Sequence, residues 1–216
     1  MYEVIPGILE KDWEGVEQKI RLLSPFARTL HIDVIDNKLA PNLTLLDPAP
    51  FAKYKDQFIL EAHLMVEEPI NYLKAFADAG FVRFIGHVEK MSDQVEFVGE
   101  AQVFGEVGLA IDGPTPLNAI TVPFDEIDSV LVMTIKAGFS GQSFMPEHLE
   151  KVKAIRQKGL LNGEGSLFPI EVDGGIKDTT IVEAKEAGAT RFITTSFLYT
   201  ATDPHVQYMA LQSLFQ

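Results

Sequence analysis

No cysteine occurs among the 216 residues. Disulfides, thiolate metal sites and cysteine nucleophiles are excluded together, and a reducing, cytoplasmic setting is expected. Basic residues are scarce as well: 18 Lys and Arg stand against 31 Asp and Glu, a formal net charge of −13. A surface of that sign repels phosphate backbones and anionic lipid, so neither nucleic acid nor a membrane is expected as partner. No apolar run reaches membrane-spanning length, and no basic-then-apolar leader is visible. An anionic small molecule would have to be held largely by backbone N–H groups. Hydrophobic residues make up 46 %, which argues for a sizeable core and against wholesale disorder.

What the chain does contain is an alternation. β-rich runs at 2–9, 27–36, 58–66, 82–88, 106–112, 129–135, 169–176 and 191–197 are separated by helical patterns. "DWEGVEQKIRLL" places Trp13, Val16, Ile20 and Leu23 at helical spacing. "PINYLKAFADAG" opens on Pro69 and stops at Gly80, and "PEHLEKVKAIRQKG" and "DTTIVEAKEAG" follow the same form, the last with Asp178 as its expected N-cap. Eight strands with seven or eight helices and no linker-like break predict one α/β domain over 1–216, a single-domain (β/α)8 TIM barrel. An open doubly wound sheet is the alternative, but "GILEKDWEG" after the first strand is no GxGxxG fingerprint.

In such a barrel, chemistry gathers at the C-terminal ends of the strands. His31 and Asp33 in "HIDVIDN" point the same way, because strand side chains alternate. His63 in "EAHLMV" and Asp173 in "EVDGGI" occupy matching positions on two other strands. Two histidines and two carboxylates converging there form an N/O site suited to one divalent transition metal. Glycines mark the last three loops: Gly138 and Gly141 in "KAGFSGQSF", Gly174 and Gly175 in "DGGI", with Ser196 in "TTSF". Together they suit a backbone-made phosphate cradle. His87, ending its strand in "GHVE", is a candidate partner for a carboxylate behind the ligands. His148 and His205 lie in helical runs and are expected at the surface, and Phe51, Tyr54 and Phe58 are expected to pack.

These motifs, in order, carry a resemblance. "HIDVID" with "PNLT", then "HLMVEEP", "HVE", "PTPL", "VLVMT", "GFSGQSF" and "EVDGGI" resemble the ribulose-phosphate 3-epimerase family over nearly the whole length. The resemblance implies that His31, Asp33, His63 and Asp173 hold a metal, Zn first, with Fe, Mn or Co as alternatives. It also implies that Asp33 and Asp173 move protons, and that Met65 and Met133 line the site. Gly138, Phe139, Ser140, Gly141, Gly174, Gly175 and Ser196 match phosphate contacts. The implied activity is interconversion of D-ribulose 5-phosphate and D-xylulose 5-phosphate, by a homo-oligomer of the pentose phosphate pathway. The chemistry fits that set: inverting a carbon beside a ketone needs one carboxylate on each face, and a cation to stabilise the ene-diolate between.

The sequence also departs from the family. Glu10 stands where the family has a serine touching the sugar, Ile35 replaces a site methionine, Asn37 a glycine and Ala137 a proline. "GPTP" stands for "PGTP", and Thr195 replaces the glycine of a "GS" clamp. If Glu10 faced the substrate from ~6 Å at an effective dielectric near 20, repulsion would be about 3 kcal/mol, or about two decades of affinity; pairing with Lys11 or Lys38 would remove it. Three functions therefore stand open. They are the pentulose-phosphate 3-epimerase, a 3-epimerase of another ketose phosphate such as allulose 6-phosphate, and a non-catalytic phosphate-binding barrel. A sugar-phosphate decarboxylase would need a lysine between the two aspartates of the second strand, where Val34 and Ile35 stand.

Overall fold

The computed structural model describes residues 2–161, 165 and 167–215. Eight parallel strands close into a barrel in sequence order, with β1 (Glu3–Ile8) paired to both β2 (Thr29–Ile35) and β8 (Arg191–Thr194). Between them run β3 (Ile59–Met65), β4 (Phe81–His87), β5 (Glu106–Ile111), β6 (Ser129–Met133) and β7 (Ile170–Asp173). Helices α1 (Trp13–Leu23), α2 (Ile70–Asp78), α3 (Gln94–Ala101), α4 (Leu149–Arg156) and α5 (Asp178–Ala187) connect the strands, and α6 (Ser196–Tyr199) and α7 (Pro204–Ser213) follow β8. The alternation is incomplete: only 3-10 turns link β2 to β3 and β5 to β6. Those segments carry Pro41, Pro48 and Pro50, and Pro114, Pro116 and Pro123, which deny a helix its N–H donors.

Sequence and structure differ at several ends. β7 and β8 stop at Asp173 and Thr194, short of the expected 176 and 197, because the chain there turns into the site loops. Asp178 is the first residue of α5 rather than its cap; the cap is Lys177, whose N–H donates to Thr180 Oγ1 at 3.0 Å. His148 is buried, not at the surface, and its Nδ1 lies 2.8 Å from Met133 O. His205 is exposed as expected and stacks on Phe26. Phe51 packs edge-on against Trp13 and Phe81.

Two apolar layers follow from strand alternation. Leu30, Ile32 and Val34 of β2 face out, into the core between barrel and helices. Ile35, Met65, Ile85, Leu131, Met133 and Ile193 fill the inside. Below them the interior is ionic. Arg191 Nη1 donates to Glu171 Oε1 at 2.9 Å, Arg83 Nη1 lies 3.5 Å from Glu61 Oε2, and Glu106 Oε2 lies 3.0 Å from both arginines. Glu61 and Glu171 are wholly buried. Burial, then the nearby Glu61, push the Glu171 carboxyl up to about 7.

Removing one partner from such a layer strands a buried charge, which costs about 3–5 kcal/mol. Arg191→Met is therefore expected to lower unfolding free energy by that order in urea titrations. Because Arg191 holds the Glu171 pKa down, its loss lets that pKa rise further in the folded variant than in the wild type, so the deficit should grow as pH rises through neutrality. Equal deficits at pH 5 and pH 8 would contradict the assignment of the lost stability to Glu171.

Candidate active site

Parallel register brings the site together. Asp33 on β2 pairs with His63 on β3, and Met133 on β6 pairs with Asp173 on β7. His31 sits one pleat below Asp33 on the same face. One donor atom from each of His31, Asp33, His63 and Asp173 lies within 4.8 Å of all the others, and all four residues are buried. His63 Nδ1 is 3.0 Å from Asp33 Oδ1 and 3.6 Å from Asp173 Oδ2. His31 Nε2 is 3.1 Å from His63 Nδ1, 3.4 Å from Asp33 Oδ1 and 4.0 Å from Asp173 Oδ2. Donors placed tetrahedrally at 2.0–2.2 Å from an ion are about 3.3–3.6 Å apart; the observed separations bracket that range.

The electrostatics also call for a cation. Burial, then the Asp33 charge, push the Asp173 carboxyl up to about 7. Burial works against the Asp33 charge, but His31, with the His63 ring beside it, holds the carboxyl well below the usual carboxylate range. Burial opposes charge on His31, yet Asp33 and Glu61 together keep its pKa well above the ordinary value. His63 is pulled down to about 4, chiefly by burial. Two buried carboxylates facing two imidazoles fit a divalent ion, whose charge would offset both.

The outer nitrogens are occupied. His31 Nδ1 lies 2.6 Å from Glu61 Oε1, and His63 Nε2 lies 2.9 Å from His87 Nε2. His87 Nδ1 in turn lies 3.0 Å from Glu89 Oε2. Burial works against the Glu89 charge, but the hydrogen bond to His87 brings its pKa down to about 2.

Above the cluster is a narrow cleft, lined by Asp33, Asp173, Met65, Met133, Gly138, Phe139, Ser140, Gly141, Gly174, Gly175 and Thr195 among others. Gly174 and Gly175 have φ of +114° and +68°, and added Cβ atoms would strike Ile135 and Phe144. Only glycine lets this backbone approach a ligand so closely. The loop is pinned from below by Thr134 Oγ1, which donates to Gly174 O at 2.6 Å. Ser196 opens α6 and is not among the cleft-lining residues. Ile35 lies in the apolar layer with Met65 and Met133, and does not line the cleft either.

Glu10 is also outside the lining: its Oε1 is 2.7 Å from Lys19, rather than Lys11 or Lys38, and the Lys19 ammonium sits over the Tyr199 ring. Asn37 does take the left-handed conformation, with φ of +65°. The Thr195 side chain lies over Gly7, and a Cβ on Gly7 would collide with its hydroxyl.

Several supporting residues escape sequence reasoning. Asn42 Nδ2 donates to Gly138 O at 2.7 Å, and Thr44 Oγ1 donates to Asp33 O at 2.8 Å, so "PNLT" ties the cluster to the loop after β6. The third polar residue of "HIDVIDN", Asp36, accepts from Lys38 N–H and Glu67 N–H, bracing the tops of β2 and β3. Glu61 and Glu171 each lie two residues before a cluster member, a spacing that marks the same strand face.

Fold and site define a (β/α)8-barrel enzyme with a buried histidine–carboxylate centre at the strand C-termini. The model of the ribulose-phosphate 3 epimerase family matches residues 3–199, and the chain belongs to that family. It is 35 % identical to the ribulose-phosphate 3-epimerase of Schizosaccharomyces pombe over 209 residues, covering 94 % of this chain and 89 % of that one. The cytoplasmic isoform from Oryza sativa is 33 % identical, with 97 % and 92 % covered. Among solved structures, KGPDC from Streptococcus mutans shares the fold, with TM-score 0.74 at 14 % identity and coverage of 98 % and 96 %.

Gly7→Ala is expected to destabilise the barrel by about 1–3 kcal/mol through overpacking. Thr195→Gly in the same chain should recover most of that loss in denaturant unfolding. Additive losses would show that Gly7 and Thr195 do not share one space.

Proposed function

We propose that the chain, a single domain over 1–216, interconverts D-ribulose 5-phosphate and D-xylulose 5-phosphate, inverting C3 between the Asp33 and Asp173 carboxyls. The observation that carries this reading is the four-donor cluster directly beneath a cleft whose other walls are methionine and glycine-rich backbone. The family is metal-dependent, and His31, Asp33, His63 and Asp173 would hold the ion. Zn²⁺ suits two imidazoles and two carboxylates, and Fe, Mn or Co would also be accepted. When bound, such a cation stabilises negative charge on the substrate oxygens next to C3.

The protein's own groups do the rest. In one direction an ionised Asp33 takes the C3 proton, the electrons passing into an ene-diolate, and a protonated Asp173 returns a proton to the opposite face; in reverse the roles exchange. The separation of their pKa values supports one acting as base and the other as acid. Met65 and Met133 would keep water from the reacting carbon. Backbone N–H groups of Gly138 to Gly141 and of Gly174 and Gly175, with Thr195, would receive the phosphate, and Ser196, outside the cleft lining, would reach it only from the start of α6. With Glu10 drawn to Lys19, the expected repulsion of an anionic substrate falls away. No helix among the described residues is long and apolar enough to cross a membrane. A cytoplasmic setting is supported by the rice relative, a cytoplasmic isoform, and a homo-oligomer by the family resemblance.

Incubation with D-ribulose 5-phosphate in deuterated water, followed by NMR, should show deuterium at C3 as xylulose 5-phosphate appears. Metal-loaded protein that gives no exchange would move the substrate to another ketose phosphate. Asp173→Asn should lower turnover by roughly 10²–10⁴-fold with the circular dichroism spectrum unchanged, and activity within tenfold of wild type would sink the two-carboxylate mechanism. Glu10→Ser should change KM by less than about fivefold, since a half-exposed ion pair is worth ~1 kcal/mol or less. A KM drop of two decades would place the Glu10 charge in the mouth after all.

A further inference from the structure

The two histidines of the cluster are supported in different ways. His31 has a carboxylate directly on its outer nitrogen, Glu61 at 2.6 Å. His63 has another histidine instead, His87, at 2.9 Å between the two Nε2 atoms. Both rings are fully buried, so no water substitutes for either partner. The direction of this contact follows from its far end. Glu89 Oε2 lies 3.0 Å from His87 Nδ1, and a carboxylate only accepts, so His87 Nδ1 carries the proton. A neutral His87 then has a bare Nε2, which accepts from His63 Nε2–H. The lone pair of His63 is left on Nδ1, the nitrogen that faces Asp33, Asp173 and His31.

Glu89 is fixed in its turn. Its other oxygen accepts from Asp112 N–H at 2.7 Å, just beyond the end of β5. The opposite tautomer of His63 would place a proton on Nδ1, where Asp33 would accept it at 3.0 Å. That arrangement sets two bare Nε2 atoms against each other at 2.9 Å, or turns the bare Nδ1 of His87 onto the Glu89 carboxylate. With His63 Nε2–H given to His87, the Nδ1 lone pair is free to meet a cation, and accepts from His31 Nε2–H at 3.1 Å when none is bound.

We propose that His87 and Glu89 are positioning residues, a relay from the end of β5 that sets the tautomer of His63 and so keeps the four-residue cluster in its cation-binding form. This role presupposes the cation site proposed above. Cutting the relay leaves His63 with a buried, unpartnered N–H, or releases its proton to Nδ1, where it competes with the ion.

The test uses Zn²⁺ as probe, its affinity read by competition with a chromophoric chelator. His87→Phe keeps the ring volume and removes the acceptor, and is expected to weaken Zn²⁺ binding by about 10–100-fold. Glu89→Gln should weaken it less, because the amide oxygen can still accept one of the two N–H groups now facing the carboxylate. In the Zn²⁺-loaded wild type, ¹⁵N NMR of labelled histidines should place protons on His63 Nε2 and His87 Nδ1. A proton on His87 Nε2 overturns the relay even if neither variant folds, and so does Zn²⁺ affinity within twofold of wild type in both. A wild type that binds no Zn²⁺ overturns the cation site and the relay with it. That result is distinct from a wild type that binds while the variants bind equally well.

Discussion

Two carboxylates buried side by side cannot both keep their charge without a compensating cation. Asp33 and Asp173 are held in that position, and much of the interior is arranged around it. Parallel register sets Asp33 beside His63 and puts Asp173 beside Met133 across the next pair. Barrel closure then brings β2, β3 and β7 within reach of one another, which an open sheet would not do. The ionic layer beneath continues the same balance, with Glu61 shared between His31 above and Arg83 below. Buried charge is tolerated here because each group meets an opposite charge or a hydrogen bond.

Around this centre the outer shell has changed in compensated ways. Thr195 occupies space that Gly7 leaves free. Glu10 brings a negative charge to the rim, and Lys19 draws it aside. Gly113 leaves room for the ring of His148, whose Nδ1 meets the carbonyl of Met133 in the wall of the cleft. The order "GPTP" thus has a packing cause: a Cβ at position 113 would overlap that ring. These pairings couple residues far apart in sequence, so a departure at one position acquires its meaning only from the residue it touches. The centre is sheltered from such drift by geometry, since its donors come from strand interiors whose directions the barrel dictates.

The alternation of strand and helix, the closed parallel barrel and the four converging donors were all legible in the sequence. They depend on local periodicity: a strand with His31 and Asp33 two apart must show both to one face, whatever surrounds it. The same rule applied to Glu61 and Glu171 would have exposed the ionic layer, which the apolar neighbours of those residues conceal. The expectation of no nucleic-acid partner rests on composition alone, because net charge needs no fold to be counted. What the sequence could not show is where a flexible side chain goes when several partners are available. Glu10 could have met Lys11, its chain neighbour, or Lys38 beyond β2; it meets Lys19, because α1 folds back to bring that lysine close. His148 read as a surface helical residue and is buried, because α4 begins against the end of β6. The His63–His87–Glu89 relay joins two strands and a turn. Local pattern decides which face a residue shows; only tertiary packing decides what it meets there.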